Sequence, residues 1–333
     1  MKTSTLITSV LLAISIAGGA WYYLSDSSET QVINSTASNP ASASTPITWG
    51  MKLVNENVSD EDLDSLARLG IAVIEGEWGM DEATPAGALQ LLDRVAERKM
   101  KLIVNFSDEA GWGYGSEEKT PLDQKPVWQR ERVEGYIRLI KHHPAIFGYD
   151  ISNEAGENLP NGIRYRITET SLKAAVVSVR NMDPTRPIIV RMHYWDKIDG
   201  DFTTANPFTS GIADIVILNL YSNYSEDQKT PLIKNMIRDF GKVLVGKIRA
   251  VDPKVKIWIS LAAFRELPLF IKPTAENLTR DLTEALKING ISGISFFGWG
   301  PERYPDEPPG WYLPRDGTDL VQVFSSFTTI KGQ

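Results

Sequence analysis

Residues 145–158 read AIFGYDISNEAGEN. An apolar run ends in a carboxamide beside a carboxylate, Asn153 and Glu154, and then breaks into a loop of small residues containing glycine. A buried strand that delivers these two side chains to a rim places a proton donor beside a hydrogen-bonding amide. Cleavage of a glycosidic bond needs such a donor, a protonated carboxyl aimed at the leaving oxygen, and usually a second carboxylate that serves as nucleophile or as base for water. Burial beside aromatic rings raises a carboxyl pKa toward working pH, which suits Glu154 to the acid role. In IAVIEGEW, residues 71–78, Glu75 and Glu77 share one face by two-residue alternation, and both point inward if Ile74 and Gly76 face outward. The second carboxylate is therefore sought first at Glu75 or Glu77, then at Glu266, then at Asp108. In the competing arrangement Glu75 and Glu77 only bind hydroxyls or pair with Arg191.

Aromatic residues extend the set. The chain holds nine Trp and eleven Tyr, and flat indole and phenol rings suit the apolar C–H faces of sugars while their polar edges meet hydroxyls. Trp78, Trp112, Trp195, Trp299 and Trp311 fall at predicted strand ends or in the loops that follow. The segment DEAGWGYGSEEK, residues 108–119, is a Gly-rich loop of the kind that borders substrates.

Positioning these groups requires regular elements, and eight short β-rich runs supply them. They are residues 47–53, 71–78, 101–108, 147–154, 187–195, 213–224, 256–264 and 293–300. Helical patterns lie between them at Asp60–Leu69, with Ser59 as N-cap, and at Ala86–Lys99, Val127–Lys141, Ile163–Asn181, Leu232–Val251, Ala275–Lys287 and Leu320–Lys331. The fifth connection, residues 196–212, is rich in Pro, Gly and Thr and has room for only a short helix. Eight strand–helix repeats in roughly 290 residues predict an α/β fold, the closed (β/α)8 TIM barrel. In that barrel the active site lies at the C-terminal strand ends, where Glu75, Glu77, Trp78, Asp108, Asn153, Glu154, His193, Tyr221 and Trp299 all fall. No glycine-rich phosphate loop follows the first strand, so nucleotide binding has no motif.

The stretch HHPAIFGYDISNEAGE resembles the fourth strand of the clan A retaining glycoside hydrolases, which include cellulases, mannanases and β-galactosidases. That resemblance implies Glu154 as general acid/base and Asn153 as ligand of the sugar 2-hydroxyl. RLGIAVIEGEW looks like the second strand of those enzymes, NMDPTRPIIV like the step into the fifth, and ADIVILNLYSNY like the sixth. It implies that Tyr221 is the tyrosine that contacts the nucleophile and that Trp299, in ISFFGWGPE, is the sugar-stacking tryptophan. Two departures stand out: IWISLAAF puts Leu261 where the nucleophilic Glu is expected, and Glu75 stands where the pattern keeps an Arg. The expected catalytic pair is therefore Glu154 with a relocated carboxylate at Glu75, and the expected sugar contacts are Asn153, Trp78, Glu77, His193, Tyr221 and Trp299. A carbohydrate-binding barrel that has lost its nucleophile is the alternative. GYDISNE also overlaps the D-x-D-x-E strand of chitinase-type enzymes, although the middle acid is Ser152 here.

Composition narrows the remaining classes. The chain has 333 residues, 42% hydrophobic and 23% charged, with a net charge of -7 and no basic stripe, which argues against nucleic acid as partner. With no Cys and only three His, at positions 142, 143 and 193, thiolate and His-rich metal centres cannot be built, and no cofactor is expected. Residues 1–24 read as a signal peptide cut after Ala20 or as an N-terminal membrane anchor with an aromatic belt at Trp21, Tyr22 and Tyr23. Residues 25–46 read as a flexible tether, and 47–333 as the barrel. These expectations place the barrel outside the cell, secreted or anchored by its leader, with an oligo- or polysaccharide as substrate.

Overall fold

Each of the eight apolar runs becomes a parallel strand: β1 (Thr48–Leu53), β2 (Val73–Glu75), β3 (Lys101–Asn105), β4 (Ile146–Asn153), β5 (Ile188–His193), β6 (Ile215–Leu220), β7 (Lys256–Ala262) and β8 (Ile291–Trp299). They close on themselves in sequence order, β8 pairing with β1, so the fold is a (β/α)8 TIM barrel. This is a computed structural model; it describes residues 46–53, 58–76, 85–107, 109–113, 126–154, 158–159, 162–163, 167–193, 208–223, 236–265, 270–300, 311–313 and 318–329. The leader and tether lie outside these residues, and among the described residues no helix is long and apolar enough to cross a membrane.

Among the described residues seven longer helices wrap the strands: α1 (Asp60–Arg68), α2 (Pro85–Glu97), α3 (Arg130–Ile140), α4 (Glu169–Met182), α5 (Lys242–Val251), which continues a π-helical turn at Ile237–Gly241, α6 (Ala275–Leu286) and α7 (Thr318–Thr329). Ser59 caps α1 in a reciprocal box with Asp62, each side chain meeting the other's backbone N–H. Helix α4 starts later than its apolar period suggests, because the Thr168 side chain accepts the Ser171 N–H and sets the N-terminus there. Between β5 and β6 the described residues hold only a turn.

Two helix-to-strand steps share one device. Asp183 ends α4 and Asp252 ends α5, both in extended backbone. Each carboxylate then accepts the N–H two residues on, at Thr185 and Lys254, both at 3.0 Å. Asp183 also accepts from Thr185 Oγ1 at 2.6 Å and from the buried Tyr149 hydroxyl at 2.9 Å. Burial alone would raise the Asp183 pKa, but these donors hold it below its ordinary value of 3.8. Its contribution to stability is therefore complete above pH 3.8 and is lost as pH falls through the lower, folded-state value. We expect Asp183→Ala to cost about 2–3 kcal/mol in urea unfolding at pH 7, since it strands the Tyr149 hydroxyl and the two donors of Thr185, and to cost less near pH 3.

Inside the barrel the alternation of strands builds two layers. The lower one is dry: Val73, Ile103, Phe147, Ile189, Ile215, Ile217 and Trp258. Trp258 fits because β8 passes it with a glycine; a Cβ on Gly293 would stand 2.4 Å from the indole. Above that plug every strand contributes a buried polar residue: Lys52, Glu75, Asn105, Asp150, Arg191, Asn219, Ser260 and Ser295 in order from β1 to β8, with Ser152 a second buried polar residue on β4. The alternate residues, such as Met51, Ile74, Leu102, Leu218 and Leu261, face the helices in the outer core.

Candidate active site

Two bulges shape the mouth. Between Asp150 and Asn153 the register advances three residues on β4 against two on β5. Between Phe297 and Trp299 it advances two on β8 against one on β1. An extra residue bends its strand and re-aims the side chains beyond it. After the first bulge Asn153 is exposed at the rim and Glu154 is half-buried. The Glu154 backbone adopts φ of +49°, a conformation non-glycine residues hold at a cost, and its N–H donates to Arg191 O at 3.1 Å.

From Glu154 a chain of polar contacts runs down into the barrel. Asn219 Nδ2 donates to Glu154 Oε1 at 2.7 Å, and Arg191 Nη1 donates to Asn219 Oδ1 at 3.3 Å. The Arg191 guanidinium forms ion pairs with Asp150, at 2.8 Å from Nε to Oδ2, and with Glu75 through Nη2. Ser295 Oγ donates to the other Glu75 oxygen at 2.7 Å. All of these groups below Glu154 are buried, and burial lowers the Arg191 pKa to about 10 against the opposing influence of Tyr221. Arg191 therefore stays charged at neutral pH, and a cation placed against Glu75 and Asp150 favours the charged form of each.

Aromatic rings form one wall of the mouth. Tyr221 lies edge-on to Phe264 and Phe270 and stacks on Phe297, with ring centroids 5.2, 6.2 and 6.1 Å apart. The Lys52 ammonium stands 5.4 Å from the Phe297 ring centre. The wall, the rim carboxyl of Glu154 and the exposed amide of Asn153 lie at the C-terminal strand ends.

Of the expected site residues, the structure brings Glu154, Asn153 and Tyr221 to the mouth and sets Glu75 beneath it, buried and paired with Arg191. It does not bring Trp299 there. Beyond the β8 bulge that indole is 2% exposed, in the outer core, and donates Nε1–H to Asp62 of α1 at 3.0 Å. Phe297 is the ring β8 presents instead. Trp112 is likewise buried, its Nε1–H given to Ile151 O at 2.8 Å. On β7 the alternation turns Leu261 outward, so the inward residue at the strand end is Ala262, again without a carboxyl. Glu77, Trp78, Asp108, Trp195, Glu266 and the side chains of His193 and Trp311 lie outside the described residues. Sequence reasoning missed Asn219, Asp150, Ser295 and Lys52. The available signal was a single polar residue interrupting each apolar run, as Asn219 does in DIVILNLY.

Comparison with known proteins bears on this geometry through the fold. No protein-family model matches the chain, and no curated protein sequence does. Solved structures do. A GH5_18 protein from Bifidobacterium longum subsp. longum, in complex with Manb1-4GlcNAc, superposes with a TM-score of 0.61 at 12% identity, over 85% of this chain and 78% of that one. The shared fold is the (β/α)8 barrel. A GH5_18 protein from Streptomyces cattleya, also with Manb1-4GlcNAc, gives 0.56 at 16% identity, over 76% of this chain and 71% of that one. A GH2 β-galacturonidase from Eisenbergiella tayi bound to galacturonate gives 0.54 at 16% identity, over 86% of this chain and 51% of that one, so this chain spans about half of its length.

Proposed function

We propose that this glycoside hydrolase-like barrel cleaves or transfers glycosidic bonds of an extracellular oligo- or polysaccharide, with Glu154 as proton donor and acceptor. The observation that carries the reading is the Glu154 carboxyl itself, half-buried at the end of β4, set in a left-handed backbone and gripped by Asn219. Glu75 is the proposed second carboxylate. Arg191 and Ser295 keep it charged while Glu154 stands at the rim, and two carboxyls in such different surroundings divide into an ionised partner and a proton carrier. Asn153 and the Tyr221–Phe297 wall are the proposed sugar contacts. The sugars bound to the structural neighbours support a carbohydrate ligand. Export by the N-terminal leader, cleaved or retained as an anchor, belongs to the same proposal.

One observation favours a second reading, a carbohydrate-binding barrel without turnover. The Glu75 side chain is 2% exposed and fully engaged, and strand β7 ends in Ala262. A panel of aryl glycosides and polysaccharides, incubated with the barrel from Pro46 onward, separates the two. Turnover carries the first reading; saccharide binding with no turnover on any member carries the second. Under either, Phe297→Ala is expected to weaken saccharide binding about tenfold in calorimetry, as loss of one stacking ring costs about 1 kcal/mol or slightly more.

A further inference from the structure

The polarity of the contacts around Asn219 fixes more than a distance. An arginine side chain has donors only, so the Asn219 atom facing Arg191 Nη1 must be the carbonyl oxygen. That orients the amide and leaves Nδ2–H for Glu154, where it meets Oε1 at 2.7 Å. Asn219 is buried on β6, between His193 of β5 and Ser260 of β7 in register. Arg191 in turn cannot rotate away, being tied to Asp150 and Glu75.

The geometry points to Asn219 as the positioning residue that makes the two Glu154 oxygens unequal, Oε1 the permanent acceptor and Oε2 the oxygen that carries the proton. A short hydrogen bond from Nδ2–H to Oε1 favours that oxygen as the carbonyl, the stronger acceptor of a carboxylic acid, so the acid form places its O–H on Oε2. When that proton leaves, the negative charge develops on a carboxylate already facing Nδ2–H, and no side chain has to turn. This inference rests on the reading of Glu154 as the proton donor. Buried Arg191 acts on the rim through one intervening amide. Among the described residues, the ionisable groups facing this part of the barrel are Lys52 from β1, Glu75 from β2, Asp150 from β4, Arg191 from β5 and Tyr221 after β6.

The test is a carbon-13 NMR titration of the Glu154 carboxyl, assigned through Glu154→Gln, in the wild-type protein, Asn219→Ala and Asn219→Asp. Loss of the donor in Asn219→Ala is expected to raise the Glu154 midpoint by about one pH unit, the value of one hydrogen bond to a carboxylate. Asn219→Asp keeps the shape and the contact to Arg191 but presents an acceptor to Glu154, so two carboxyls compete for one proton and the midpoint rises further. If Asn219 only fills space, removing its donor leaves the Glu154 midpoint at the wild-type value, and that result overturns the inference. If Asn219→Ala does not fold, Asn219→Leu, of similar volume and without a donor, decides in its place. The titration needs no substrate, so failure of every glycoside in the panel would strike the glycosidase reading and leave this one standing or falling by its own midpoints.

Discussion

Glu154→Gln lowers turnover of any glycoside the wild-type barrel cleaves by about 10²- to 10⁴-fold, the contribution of a positioned acid or base. The substitution keeps the volume and keeps an oxygen to accept from Asn219 Nδ2, so the contacts below it survive. What it removes is the transferable proton. Because Glu154 is only half-buried and Gln keeps its volume and its acceptor for Asn219, the melting temperature is expected to stay within a degree or two. Substrates with good leaving groups, which need less protonation, should lose less than those with poor ones. A Glu154→Gln protein that turned over a poor-leaving-group glycoside at the wild-type rate would remove Glu154 from the mechanism.

Arg191→Met is expected to act on the other quantity and cost about 3–5 kcal/mol of folding free energy, enough to unfold a marginal domain, because it leaves buried carboxylates unpaired. Arg191 is fully buried, with Glu75 and Asp150 against it and the Asn219 carbonyl within reach of Nη1. Methionine fills much of the space and satisfies none of these acceptors. Combining Arg191→Met with Glu75→Gln and Asp150→Asn should recover a large part of the loss, since the uncompensated charge goes with its partners. Urea unfolding of the single and triple variants measures both. A single variant as stable as wild type would mean that the carboxylates find water in the barrel, contrary to the burial described.

The fold was legible because its code is repetitive. Eight apolar runs bounded by Asp, Gly and Pro located eight strands, and Ser59 marked the start of α1 from its residue type alone. The site was legible only as far as alternation holds. Asn153 and Glu154 close β4, and Tyr221 follows β6, as the pattern says. Trp299 escapes the pattern because one extra residue at Gly298 reverses the phase of β8, and a bulge leaves no sign in a Gly-Trp-Gly stretch that already suits a turn. Leu261 was the wrong residue to weigh on β7 for the related reason that inward and outward positions differ by one step, and the burial of Trp258 and Ser260 sets which is which. The pairing of Glu75 with Arg191, the competing arrangement named from the sequence, joins strands more than a hundred residues apart, so residue type suggests it and no local spacing decides it.

The ring of buried polar residues, to which every strand contributes, also governs how the chain can be misassembled. If any strand slid by a single residue, its polar member would turn from the barrel interior to the helix-facing layer, and a leucine or isoleucine would take its place among the charges. For β2 or β5 that slip would set Glu75 or Arg191 unpaired in the aliphatic layer that faces the helices. An interior of aliphatic side chains alone would read nearly the same in either register. The polar layer thus works as a key for strand alignment, which a barrel closed by short strands of three to nine residues has particular need of.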